Sequence, residues 1–280
     1  MAKRTRHSPP RKDDQARSFR VKPRNQPEVI DYYMTSPDGK NWTKRPGNII
    51  AMISGFKPED LDPEITALID PLSKLSKEKQ NRRLSEKLID CRHKLHAVRY
   101  HLHTLKTEII ERVKEFKKSY SAGSGIAQEL ENLRLVYETE AFLFQVKSSL
   151  DMLAQTLGCV VPPLGSVHTF RSKKVNGVEQ AGGTVISALL ANGFEELGNL
   201  FESHRKAWIQ ELVDMRDTIT HYSRLRHFHC FVEEPYTGGD QVTIHYPTMP
   251  LGVRVDSYCQ IVYDNLLDLY RSALGLVKLE

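Results

Sequence analysis

The sequence predicts a mainly α-helical bundle: about four long helices, with a β-hairpin inserted before the last one. Three observations lead there. Apolar residues recur at gaps of four and three over long stretches, which is the spacing of a helix stripe and not of a strand. Alternating β-prone runs are short, such as Phe228–Glu233 and Gln241–Tyr246 around Gly238-Gly239-Asp240. The 280 residues are 40% hydrophobic and 27% charged, the balance of a soluble globular chain long enough for a sizeable core. No apolar run nears the ~18 residues of a membrane span. Met1–Lys12 is charged and lacks the apolar stretch of a secretory signal. A cytoplasmic protein without membrane contact is expected, with Cys91, Cys159, Cys230 and Cys259 as free thiols.

Three regions follow from composition. Residues 1–28 hold almost no apolar side chains, four prolines, nine basic residues and three acids, so they read as a disordered tail of charge +6. The rest of the chain sums to −1, since the whole carries +5. Such a tail suits an anionic partner, nucleic acid first, or is simply a solvated arm. Residues 29–74 read as a small N-terminal hairpin around Asp38-Gly39 and then a connector. Pro46, Pro58, Pro63 and Pro71 allow that connector short helices at most. Residues 75–280 form the bundle.

Its first helix is marked by Leu84, Leu88, Cys91, Leu95, Val98, Leu102, Leu105, Ile109 and Phe116, broken where Arg112 takes an apolar place. This heptad seam implies roughly 40 helical residues packed nearly parallel or antiparallel to neighbours. Ser121-Ala-Gly-Ser-Gly125 ends it. The second helix runs from about Ile126 to Leu157, with Phe142, Val146, Leu150, Leu153 and Leu157 on one stripe. Glu140, Phe144, Lys147 and Asp151 lie on a different face. Residues 158–183, with Pro162-Pro163 and five glycines, form a long loop with room for a strand, and Arg171, Lys173 and Lys174 lie in it. After the Asn192-Gly193 break comes a third long helix, its stripe being Phe194, Leu197, Phe201, Trp208, Leu212, Met215, Ile219 and Tyr222. The hairpin follows, and a last helix from about Asp256 to Leu274 turns Cys259, Val262, Leu266 and Leu269/Tyr270 inward.

Phosphate loops of the Gly-rich Lys-Ser/Thr type, H-E-x-x-H and C-x-x-C are all missing. The richest segment is Met215-Arg-Asp-Thr-Ile-Thr-His-Tyr222, polar just where the third helix stops. Arg216 and His221 are five apart, about 140° and 7.5 Å out of line on a regular helix. Asp217 and His221 are four apart and share a face, so Asp217 can orient the imidazole. A site that uses Arg216 and His221 together is easier to build from two copies across a two-fold axis. Read blandly, the segment is a helix end with a capping histidine.

Arg216-Asp-Thr-Ile-Thr-His221 resembles the R-x4–6-H motif of the HEPN superfamily, and Glu140–Asp151 resembles the helix that precedes it there. The resemblance covers roughly residues 76–280. It implies a metal-independent endoribonuclease, often in toxin–antitoxin or antiviral defence, acting on RNA as a homodimer. An antitoxin or regulatory protein is an expected partner, and no metal or cofactor is needed. Arg216, His221 and Asp217 would be catalytic, with Tyr222, Arg224, Arg226, Lys147 and Asp151 as substrate-binding residues. Some toxin members carry a regulatory tyrosine two residues after the histidine; here Tyr222 follows His221 directly, so that role does not carry over. The alternative is a non-catalytic HEPN-like module that binds nucleic acid or a protein, and a third reading is a purely structural dimer. His93, His96, Tyr100 and His103 on the first long helix, and His227-Phe-His229-Cys230, hint at metal. A wet polar face and a strand with Cys230 in the core are the simpler readings.

Overall fold

The heptad seam builds the centre of the molecule. Helix α2 (Arg82–Ser119) buries Leu84, Leu88, Cys91, Leu95, Val98, Leu102, Leu105 and Ile109, as the sequence pattern requires. Helix α3 (Leu133–Leu157) packs along it. Lys87 donates to Gln155, Lys94 to Gln145, and His101 pairs with Glu138. As the α2 number climbs, the α3 number falls, so the two helices are antiparallel, with polar pairs every seven α2 residues beside the seam. The structure is a computed structural model that describes residues 62–119, 127–128, 132–221, 231–233, 243–249 and 252–277, the backbone alone at 118, 119, 127, 128, 221, 231–233 and 243. The expected tail at 1–28 and hairpin at 29–44 lie outside the described residues.

A mainly helical bundle with a small antiparallel hairpin before the last helix is what these residues form. One expectation is corrected. Residues 63–74, read as the end of a connector with short helices at most, belong to a 16-residue helix, α1 (Pro63–Glu78). The prolines misled. Pro63 sits at the first helical position, where a missing N–H costs nothing, whereas Pro71 lies inside the helix and removes one backbone bond there. Asp62 caps the helix through Glu64 N, pairs with Arg99 at 2.6 Å and accepts from Tyr263. Ile65 and Ile69 are fully buried, so the bundle's core begins before residue 75.

The second helix ends at Leu157 as expected but starts at Leu133, where Asn132 accepts from the N–H groups of Arg134 and Leu135. The loop after it holds a 3-10 turn (Pro162–Leu164) and a hairpin of β2 (Lys173–Val175) and β3 (Val178–Gln180). Asn176 and Gly177 have φ of 51° and 82°, both positive as a type I′ turn demands. A short helix, α4 (Gly183–Leu190), follows.

The third long helix comes in three pieces: α5 (Glu195–His204), a π turn (Arg205–Ile209) and α6 (Gln210–His221). Leu197, Phe201, Trp208 and Leu212 are buried and Met215 and Ile219 partly so, as the stripe predicts, while Phe194 sits exposed ahead of the helix. The extra residue in the π turn lets Arg205 bury its guanidinium between Glu202, bound through Nε and Nη2 at 2.7 Å, and the Gln210 side-chain Oε1. Strands β4 (Phe231–Glu233) and β5 (Thr243–His245) pair as expected, and a two-residue β1 (Ala127–Gln128) adds a third strand in the order β1-β4-β5. Helix α7 (Val255–Leu276) turns Cys259, Val262, Leu266, Leu269 and Tyr270 inward. Cys91, Cys159 and Cys259 are free thiols, and no described helix is long and apolar enough to cross a membrane.

Two glycines separate conformational strain from steric contact. Gly177 has open space around it, whereas at Gly182 (φ 66°) an added Cβ would lie 2.0 Å from the buried Phe170 ring. Gly177→Ala should cost about 1 kcal/mol, the left-handed backbone penalty alone. Gly182→Ala should cost about 1–3 kcal/mol more, because Phe170 cannot yield inside the core. Urea unfolding of the two variants checks this; equal losses would show that Phe170 does not pack on Gly182.

Candidate functional site

The polar segment closes α6, and both threonine hydroxyls in it are satisfied locally. Thr218 and Thr220 donate to the carbonyls of Asp214 and Arg216, each at 2.8 Å. Arg216 is therefore presented by an intact last turn. Its Nη1 donates to Asp217, and its Cζ stands 5.4 Å from the Phe144 ring centre. Nε is buried with no acceptor among the described residues, and the side chain as a whole is 29% exposed. The guanidinium is thus held from below by an aromatic face and from the side by a carboxylate, on a side chain that is partly open to solvent.

Phe144 belongs to the second face of α3, the face that also carries Glu140, Lys147 and Asp151. Leu133 and Tyr137 extend that face at helical spacing. Leu133, Tyr137 and Phe144 are exposed, Tyr137 at 62%. Sequence reasoning did not follow the face back to these two residues, although the spacing was there to read.

Lys147 and Asp151 do not lie on a fully solvated face. They pair at 2.6 Å with side chains only 14% and 25% exposed. The Asp151 carboxylate also accepts the Phe170 N–H, which anchors the loop ahead of β2. Among the described residues neither has a hydrogen bond or ion pair to Arg216; they stand further along the same face. On the facing helix, Gln210 at the start of α6 accepts from the Ala181 N–H at 2.9 Å and donates to Asp214. Loop and hairpin are therefore tied at one end to α3 and at the other to α6.

His221 ends α6 as regular helix, so its position keeps the five-residue offset from Arg216 and the four-residue offset from Asp217. Its side chain lies outside the described residues, as do Tyr222, Arg224, Arg226 and the segment His227-Phe-His229-Cys230.

The histidines of α2 divide. His103 is exposed and His93 half-buried, but His96 is only 6% exposed, which corrects the reading of this row as a uniformly wet face. Among the described residues no three His, Cys, Asp or Glu side chains converge as a metal site would need. Burial, and then the Arg92 charge, push the His96 imidazole down to about 4, against a smaller opposing pull from Asp62. Arg99 and His93 also face it and lower it further.

A scan of protein-family models, a search of curated proteins and a search of solved structures each found no match to this chain.

The His96 shift fixes a pH dependence. Unfolded, the ring takes a proton below its ordinary value of about 6.5; folded, it resists until about 4. The unfolded chain therefore binds more protons between those values, and stability falls as pH drops through that window while staying flat above it. The loss should be on the order of 2–3 kcal/mol by pH 4. His96→Gln should remove about one proton from the slope in urea titrations between pH 6.5 and 4.5. An unchanged slope would show that His96 is not the buried neutral group.

Proposed function

We propose that this bundle is a metal-independent endoribonuclease of HEPN type, working as a homodimer on RNA. One observation carries the reading: Arg216, first residue of the R-x4-H segment, is braced by Phe144 and Asp217 while its side chain stays partly exposed. A structural arginine would be expected to spend its donors inside the protein, as Arg205 does with Glu202 and Gln210. A planar cation fixed at the surface suits a phosphate, which takes two donors at once.

The chemistry needs no external nucleophile. The RNA 2′-hydroxyl attacks the adjacent phosphorus as His221 of one protomer takes its proton. The bond to the 5′-oxygen breaks, and His221 of the other protomer protonates that oxygen. A 2′,3′-cyclic phosphate and a 5′-hydroxyl result, and the two histidines have exchanged protonation states. An imidazole near pKa 6.5 serves both roles. The Arg216 pair offsets the charge that builds on the phosphoryl oxygens. Asp217, four residues before His221, would orient the imidazole. The offset of about 140° between Arg216 and His221 favours a cleft completed by a second copy. The exposed Leu133, Tyr137 and Phe144 stripe, beside Arg216, gives that copy apolar surface to bury. Defence or toxin biology, an antitoxin partner and a cytoplasmic setting belong to the same proposal.

His221→Ala should lower cleavage by at least ~10²-fold, because it removes acid and base together. Arg216→Lys keeps the charge but loses the fork, and should impair cleavage substantially. Asp217→Asn should hurt less than either. DNA of the same sequence should be inert, lacking the attacking hydroxyl. A folded His221→Ala protein that cleaves at the wild-type rate would sink the mechanism.

Assembly is tested separately. Tyr137→Glu places a charge in the apolar stripe at an exposed position, so sedimentation should show a shift from dimer to monomer with the helix content kept. Activity should fall with the dimer. A wild-type protein that stays monomeric at micromolar concentration would contradict the composite cleft.

A further inference from the structure

We infer that the β2–β3 hairpin is a phosphate-holding arm of the same site: Arg171, Lys173 and Lys174 contact the backbone of a single-stranded RNA whose reacting phosphate lies at Arg216. The inference rests on the ribonuclease reading for its substrate and extends it to residues outside the motif.

Charge is the first support. Arg171, Lys173 and Lys174 are all exposed, and among the described residues none of them has a carboxylate partner. Two other surface arginines are paired, Arg254 with Asp256 and Arg271 with Glu64. Glu179 stands across the ladder from Lys174 and is the one acid on the two strands. Three cations against one acid on so small a ribbon make a local positive field that the fold leaves unbalanced.

Rigidity is the second. The Arg171 carbonyl accepts from both the N–H and the hydroxyl of Thr184, at 3.2 and 2.8 Å. The Lys173 stem lies against Gly183 so closely that an added Cβ there would come within 2.9 Å of its Cβ. The Asn176-Gly177 turn fixes the register. The basic groups thus sit on a fixed support, so less freedom is given up when they bind.

Placement is the third. Phe170, one residue ahead of Arg171, is bound to Asp151 on α3, and Ala181, just after β3, is bound to Gln210 on α6. Phe144 lies seven residues from Asp151 and Arg216 six residues from Gln210. At 1.5 Å per residue both are about 10 Å along their helices from the hairpin's base. Because Phe144 and Arg216 touch, the two distances run the same way. The hairpin and the guanidinium are therefore two stations along one antiparallel helix pair. No aromatic side chain lies on the strands, so the arm would hold phosphate and not read bases.

The test uses the full-length protein, a fluorescent single-stranded RNA and anisotropy titrations over a range of salt. Lys173→Gln/Lys174→Gln should weaken binding by on the order of tenfold and flatten the salt slope by about 1.4, or ~0.7 for each phosphate left without its lysine. Glu179→Lys should do the reverse, tightening binding and steepening the slope, which guards against a misfolded loss variant. Affinity and slope equal to wild type in both variants would overturn the inference, as would a wild-type protein that binds no RNA at low salt. If wild type binds, the variants shift as stated and nothing is cleaved, the arm stands and the nuclease reading falls.

Discussion

Helix α3 has two faces with different obligations, and the rest of the molecule is arranged around that constraint. One face, through Phe142, Val146, Leu150, Leu153 and Leu157, is fully buried against the core. It cannot rotate without exposing that row, at a cost of roughly 1.5–3 kcal/mol for each large side chain. The second face is thereby fixed. Phe144 is placed beneath Arg216, and Asp151 is aimed at Phe170. Burial on one side thus sets chemistry on the other, about one-third of a turn away. A core substitution that let α3 rotate would misplace the guanidinium without touching it.

The π turn plays the matching part on the opposite helix. Its widened ring brings Arg205 and Gln210 together, and the Gln210 side chain then serves Ala181 and Asp214 as well. A buried charged group is tolerable only when its donors are used, and here Glu202 takes two of them. The same pair holds the Glu202 carboxyl below its ordinary range, through the Arg205 hydrogen bonds first. π turns recur where a helix must aim a side chain, and this one ends about two turns before Arg216. The frame that carries the candidate site is built from ordinary burial and a few fully satisfied polar groups.

Most of the fold was legible because stripes were long. The α2 seam and the inward row of α7 are repeated often enough that a single polar residue, such as Arg112, does not hide them. What stayed hidden was short or conditional. Pro63 looked like a breaker because position within a helix, not composition, decides whether proline is tolerated, and Pro71 lies in the helix interior despite the backbone bond it removes there. Asn176-Gly177 is a strong hairpin signal, yet the five glycines of residues 158–183 mask it. The two residues of β1 carry no pattern at all. At the site, the motif and the second face of α3 could be read separately. Their meeting, Arg216 over Phe144, depends on how α3 and α6 cross, which periodicity does not specify. The π turn is likewise invisible, since one inserted residue leaves the apolar spacing nearly intact.

The proposed ribonuclease activity depends on RNA being cut by its own 2′-hydroxyl at a protein site that supplies only proton transfer and charge. The direct measurement is the chemistry of the new ends. A defined single-stranded RNA is incubated with purified protein in excess EDTA, and the fragments are analysed by mass. Attack by the 2′-hydroxyl leaves a 2′,3′-cyclic phosphate on one fragment and a 5′-hydroxyl on the other. A 3′-hydroxyl with a 5′-phosphate, or no cleavage by a folded dimer, would contradict it.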